Sequence, residues 1–107
     1  MNNEKVLRAI GLCAKAGRLV CGTELICEAL RGRTRPFLVL EASDNSPNTA
    51  KRIADKCSFY QVEHKRLSID GGMLSDAVGK SGRVAAVAIT DENLCRLVQK
   101  TLAEEHS

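Results

Sequence analysis

The 107-residue sequence predicts an α/β chain folded as an α/β/α sandwich. Helical and strand patterns alternate from end to end. Two strands, 37–40 and 84–89, are apolar without a break, as strands covered on both faces are. The second is rich in alanine: Ala85, Ala86 and Ala88 suggest helices packed closely on the sheet. No linker, repeat or low-complexity stretch interrupts the pattern, so residues 1–107 read as a single domain.

The elements follow in order. The first helix is expected from about Asn3 to Ala16, with Val6, Ile10 and Cys13 on one face and Gly17 as its stop. Arg18 to Cys21 reads as a short strand, and Thr23 to Arg31 as the second helix. Arg35-Pro36 introduces the buried strand Phe37 to Leu40. Asn45-Ser46-Pro47 supplies a cap and a first-turn proline for a third helix reaching about Tyr60, which buries Ala50, Ile53, Ala54 and Cys57. Gln61 to Lys65 is polar and alternating, the pattern of an edge strand. A short helix carries Met73, Leu74, Ala77 and Val78. After Val84 to Ile89, Thr90 is expected to cap a last helix with the stripe Leu94, Leu97, Val98, Thr101 and Leu102.

Composition narrows the function classes. A net charge of +3 permits a nucleic-acid partner without demanding one. Five cysteines without a C-x-x-C pair imply buried, reduced thiols and no metal site. The N-terminus lacks an apolar leader and no run is long enough to span a membrane, so a cytoplasmic location and no membrane partner are expected.

Signals for catalysis are poor. Gly79-Lys80-Ser81 would end a phosphate-binding P-loop only if residue 74 were glycine, and it is Leu74. Gly71-Gly72 falls short of a dinucleotide fingerprint. His64 and His106 lie in an edge strand and a terminal tail, where histidine is usually solvated. Cys21 and Cys27 flank a helix start that could depress a thiol pKa, but both belong to apolar runs. No catalytic residue, cofactor or small-molecule substrate is assigned, and the chain is read as a monomer.

The candidate binding residues centre on Gly22-Thr23-Glu24-Leu25, where the second helix begins with free N–H groups and a positive dipole end. Lys15 and Arg18 precede it; Arg31, Arg33 and Arg35 follow it. This suits a phosphate, and it equally suits an ordinary surface helix with solvated arginines. Two loops add to it: Asp44 and Asn45 after one buried strand, and Lys80 and Arg83, in the stretch Gly79-Lys80-Ser81-Gly82-Arg83, before the other. Glycine lets such a loop approach a sugar–phosphate backbone. Aromatics are too few for base stacking on a sheet, and Phe37 is assigned to the core.

The ordered combination of residues 11–22 (GLCAKAGRLVCG), 38–49 (LVLEASDNSPNT) and 84–91 (VAAVAITD) resembles the ribosomal protein L7Ae/L30e superfamily, and its bacterial YlxQ-like branch most. The likeness runs from about residue 4 to 102. It implies a four-stranded mixed sheet in the sandwich and a structured RNA partner, kink-turn-like or ribosomal. It also implies an RNA surface made of the second helix's N-terminus, the loop after the next buried strand and the loop before the last strand. The family's reading pair is Gly-x-Asn-Glu; here Glu24 stands at the asparagine position and Leu25 at the glutamate position. Asp44 matches the family's acidic residue after the buried strand, and one extra residue stands between Arg31 and Phe37. The altered pair leaves a second expectation open, a protein-interaction module on an RNA-binding scaffold.

Overall fold

The computed structural model describes residues 3–33 and 35–105, except the side chain of residue 105. His106 lies outside the described residues. The elements are α1 (Glu4–Lys15), β1 (Leu19–Cys21), α2 (Thr23–Arg31), β2 (Leu38–Glu41), α3 (Pro47–Phe59), β3 (His64–Arg66), α4 (Gly71–Val78), β4 (Ala86–Ile89) and α5 (Glu92–Glu105). The sheet order is β1-β4-β2-β3. β4 runs antiparallel to both β1 and β2, and β3 lies parallel to β2 at the edge, so the sheet is mixed.

Alternation along the two central strands builds the layers. Leu38, Leu40, Val87 and Ile89 face one core, with Val6, Ile10, Leu74 and Val98 from α1, α4 and α5. Val39, Ala86 and Ala88 face the other, with Ile26, Leu30, Ile53 and Cys57 from α2 and α3. The small alanines therefore lie under α2 and α3, which stand close to the sheet. Fully burying one such Ile or Leu contributes roughly 1.5–3 kcal/mol, so these two clusters hold the sandwich together.

Several details differ from the sequence expectation: on α3 only Ile53 and Cys57 are buried, with Ala50 and Ala54 half-buried. Phe37 is exposed: its N–H donates to Ile89 O at 2.8 Å, but Leu38 already opposes Ile89, the last residue of β4, so no β4 residue stands opposite Phe37. Gln61 takes a left-handed turn (φ 58°) after α3, which delays β3 to His64. Asp91 caps α5 in place of Thr90: its Oδ1 accepts the Leu94 N–H at 2.9 Å, while the Thr90 N–H donates to Arg18 O. Cys95, not Leu97, is buried on α5 with Val98 and Leu102. Ser46 and Asp70 cap α3 and α4 through the N–H groups of Thr49 and Met73.

Among the described residues, no helix is long and apolar enough to cross a membrane. Cys13, Cys27, Cys57 and Cys95 are buried and Cys21 is half-buried. Burial pushes the Cys57 thiol up to about 11, with Cys27 and Glu41 adding to the effect. Glu41, at the end of β2, is only 5% exposed, and its Oε2 has no hydrogen-bond partner among the described residues. Replacing an unpaired buried polar group by an apolar one of similar shape removes a desolvation penalty. Glu41→Met is therefore expected to stabilise the fold by about 1 kcal/mol, read as a higher midpoint in urea with an unchanged slope.

Candidate nucleic-acid interface

The candidate surface is set by strand direction. Because β1 and β2 both oppose β4, their C-terminal ends lie beside its N-terminal end: Cys21 pairs with Val87, and Glu41 with Ala86. The segments leaving β1 and β2 and the segment entering β4 therefore meet at one end of the sheet. These are the start of α2, residues 42–46 and residues 79–85.

Gly22 positions the helix start. Its N–H donates to Ala86 O at 3.0 Å, and its φ of 96° is one that L side chains rarely adopt. No side chain caps α2, so its first-turn N–H groups remain available to an external acceptor. Thr23 is half-buried, whereas Glu24 and Leu25 are exposed, Leu25 by 56%. Arg52 of α3 donates to Glu24 Oε1 at 2.5 Å. That hydrogen bond, and then the guanidinium charge, holds the Glu24 carboxyl below its usual range. Leu25 and Lys80 line one shallow groove beside β1, with Cys21 and Glu28. Burial raises the Cys21 thiol, outweighing the opposing charge of Lys80, so the helix start does not activate it.

The two loops are locked together. Arg83 Nη2 donates to Asp44 Oδ1 and to Asn45 Oδ1, both at 2.7 Å. Asn45, 8% exposed, donates its Nδ2 to Ala85 O at 2.9 Å. The Gly71 N–H donates to Asp44 Oδ1 at 3.0 Å, and Arg66 Nη2 donates to Ser43 O at 2.7 Å. Arg83 is the first cause, and the Gly71 N–H the second, of an Asp44 pKa below the ordinary aspartate value. At Gly71 a β-carbon would strike Arg83 Cγ and meet Val84 O at 3.0 Å, so glycine is required there by close approach.

Of the sequence candidates, the fold brings together Gly22, Thr23, Glu24, Leu25, Asp44, Asn45, Lys80 and Arg83. Lys15 stands at the flank, lining a depression with Gly79 between α1 and α4. Arg18 lies at the opposite end of the sheet, since Leu19 pairs with Ile89. Arg31 ends α2, about 12 Å of helix away from Gly22, and Arg33 and Arg35 follow the helix. Arg35 is taken up locally: it donates to Tyr60 O at 3.3 Å and sits 5.1 Å from the Tyr60 ring centroid. Sequence reading missed Arg52, Arg66 and Gly71. Only Gly71 left a signal, a glycine opening a helix directly after a capping aspartate.

A three-layer sandwich with this sheet order and this converging end defines a class. Residues 4–98 match the ribosomal protein L7Ae/L30e/S12e/Gadd45 family, and the chain belongs to that family. Within it the chain is YlxQ-like. It is 39% identical over 83 residues to the RNA-binding protein YlxQ of Bacillus subtilis, covering 78% of this chain and 80% of the relative. It is 33% identical over 86 residues to the YlxQ protein of Enterococcus faecium, covering 80% and 82%. A solved protein of unknown function from Bacillus halodurans superposes with a TM-score of 0.76 at 30% identity, covering 89% of this chain and 97% of that one. The Giardia lamblia 15.5kD RNA binding protein shares the fold with a TM-score of 0.77 at 17% identity, covering 97% and 89%.

Two stability experiments test the locked loops. Gly71→Ala is expected to cost roughly 1–3 kcal/mol through overpacking, and less than additively when combined with Arg83→Ala, as a double-mutant cycle in urea would read. Asp44 has a depressed folded pKa, so its contribution is present above the unfolded value and lost as pH falls through the folded one. Asp44→Asn should therefore be less stable than wild type at neutral pH, with the gap in Tm closing below about pH 4.

Proposed function

We propose that this chain is a non-enzymatic RNA-binding protein that engages structured RNA with the sheet end where α2, residues 42–46 and residues 79–85 meet. The observation that carries the reading is the uncapped α2 N-terminus held beside two polar loops on a rigid sheet. Backbone N–H groups at a positive dipole end suit a phosphate oxygen. The names of the two YlxQ relatives, both RNA-binding proteins, support it.

The roles divide by what each side chain already does. Lys80 has no acidic partner among the described residues and is the phosphate contact at this end. Arg83, Asp44 and Asn45 act first on one another and fix the loop positions. Lys15 flanks the surface, and Arg31 lies two turns along α2 from Glu24, near enough for its charge to act on that carboxylate; Arg18 is at the opposite end of the sheet, and Arg33 and Arg35 lie beyond the helix. Glu24 is ionised and can only accept hydrogen bonds, while Leu25 can neither donate nor accept. The pair therefore reads a standard kink-turn poorly. Catalysis is not part of the reading, because the thiol at this end, Cys21, is shifted away from its nucleophilic form. The exposed Leu25 beside an apolar groove is the one observation that favours a protein-interaction role.

Sequencing RNA crosslinked to the tagged chain tests the class: structured RNA should be enriched over a charge-matched control, and no enrichment would favour the protein-interaction role. In salt titrations Lys80→Ala should reduce the slope of log K against log salt by roughly 0.7–0.9. An unchanged slope would move the surface elsewhere. Glu24→Asn with Leu25→Glu should tighten binding to a standard kink-turn by roughly tenfold to a hundredfold, since position 25 is exposed and accepts a carboxylate.

A further inference from the structure

The outer face of α3 carries a second surface that the roles above leave unused. Asn48, Lys51, Arg52, Lys56, Phe59 and Tyr60 line a shallow hollow of about 700 Å³. Their spacing places them along one side of the helix, over about 16 Å. Phe59 is 77% exposed, the largest exposure of any large apolar side chain among the described residues. Its ring meets that of Tyr60 edge to face at 4.9 Å, and Tyr60 is itself held by Arg35. Asp55 is the single acidic side chain among the described residues lining the hollow, and neither Lys51 nor Lys56 has an ion-pair partner among them.

A lone exposed phenylalanine is ordinary; one set among Lys51, Lys56, Arg52 and Arg35 is a different chemical object. Lys51 and Lys56, without an ion-pair partner among the described residues, call for an anionic chain, and the aromatic pair calls for flat apolar groups along it. An acidic peptide answers the second only where it also carries flat apolar side chains at matching spacing, whereas every nucleotide brings both a phosphate and a base. A duplex answers only the first, because its base faces are stacked away from side chains. A single strand answers both, with phosphates on the cations and an unstacked base on Phe59. Arg52 also joins this face to the first surface, through its ion pair with Glu24.

We infer that the outer face of α3 binds a single-stranded RNA segment continuous with the structured RNA at the α2 end, with a base stacked on Phe59 and phosphates on Lys51 and Lys56. The inference rests on the RNA reading above and deepens it: the substrate becomes a structured RNA with an unpaired extension.

Photocrosslinking of the full chain tests it, with a thiouridine-containing single strand of about 12 nucleotides as the probe and peptide mass spectrometry as the readout. Adducts are expected on Phe59 or Tyr60. Adducts confined to residues 22–25 and 79–84 would overturn the inference and leave the RNA reading standing. No adduct above background with either this strand or a structured RNA would overturn both. In anisotropy titrations of the same strand, Phe59→Ala should weaken binding roughly five- to a hundredfold, and Phe59→Trp should retain it. Lys51→Ala with Lys56→Ala should lower the salt slope by roughly 0.7 per contact. Equal affinity for wild type and Phe59→Ala would overturn the inference and give the face to another partner; the exposure of Phe59 keeps the fold out of that comparison.

Discussion

The antiparallel pairing of β4 with both β1 and β2 is the constraint on which the rest of the structure depends. It puts the N-terminal end of the central strand beside the C-terminal ends of its neighbours. Gly22 then donates to Ala86, and Ala42 donates to Ala85 at 2.8 Å. Backbone hydrogen bonds thus help bring three segments distant in sequence to one end of the sheet. β3, parallel to β2, adds a fourth: Ile69 O accepts the Ser43 N–H at 2.9 Å, so the 42–46 loop is held from both sides.

Side chains then decide which charges at this edge remain free. Arg83 is committed to Asp44 and Asn45, and Arg52 to Glu24. Exposed ion pairs of this kind contribute little to stability by themselves. Their larger effect is on geometry, since Asp44 also takes the Gly71 N–H and thereby joins two loops to the start of α4. Among the described residues, Lys80 and the uncapped first turn of α2 are left as the positive features without an internal partner. A surface of few, fixed donors suits recognition of a defined backbone shape more than general attraction to polyanions.

Family membership and the local residues point in slightly different directions, and the difference is informative. The chain belongs to the L7Ae/L30e/S12e/Gadd45 family. At the helix start, however, Glu24 is engaged by Arg52 and Leu25 is open to solvent. The fold is kept, while one residue of this helix start is tied to a neighbouring helix and the next is apolar. Cationic and aromatic side chains are instead concentrated along α3, on a face that begins at Arg52 beside Glu24 and ends at Phe59.

The sequence by itself determined the layers and the helix that opens the site. The period of the apolar residues and the local signals at Gly22 and Arg31 placed α2 at Thr23–Arg31, and the unbroken apolar runs marked β2 and β4 as central. These are local properties, set by side-chain spacing and backbone preference within one segment. Only the tertiary structure decided which charges share a surface. Arg83 and Asp44 lie 39 residues apart, and Arg52 and Glu24 lie 28 apart, so no local pattern pairs them. The same limit explains why Arg31, Arg33 and Arg35 read as neighbours of the helix start. They are near it in sequence, but a helix of nine residues carries them about 12 Å away along its axis. Phe37 failed as a core residue for a related reason: burial depends on where the partner strand ends, and register is a property of two strands, not one.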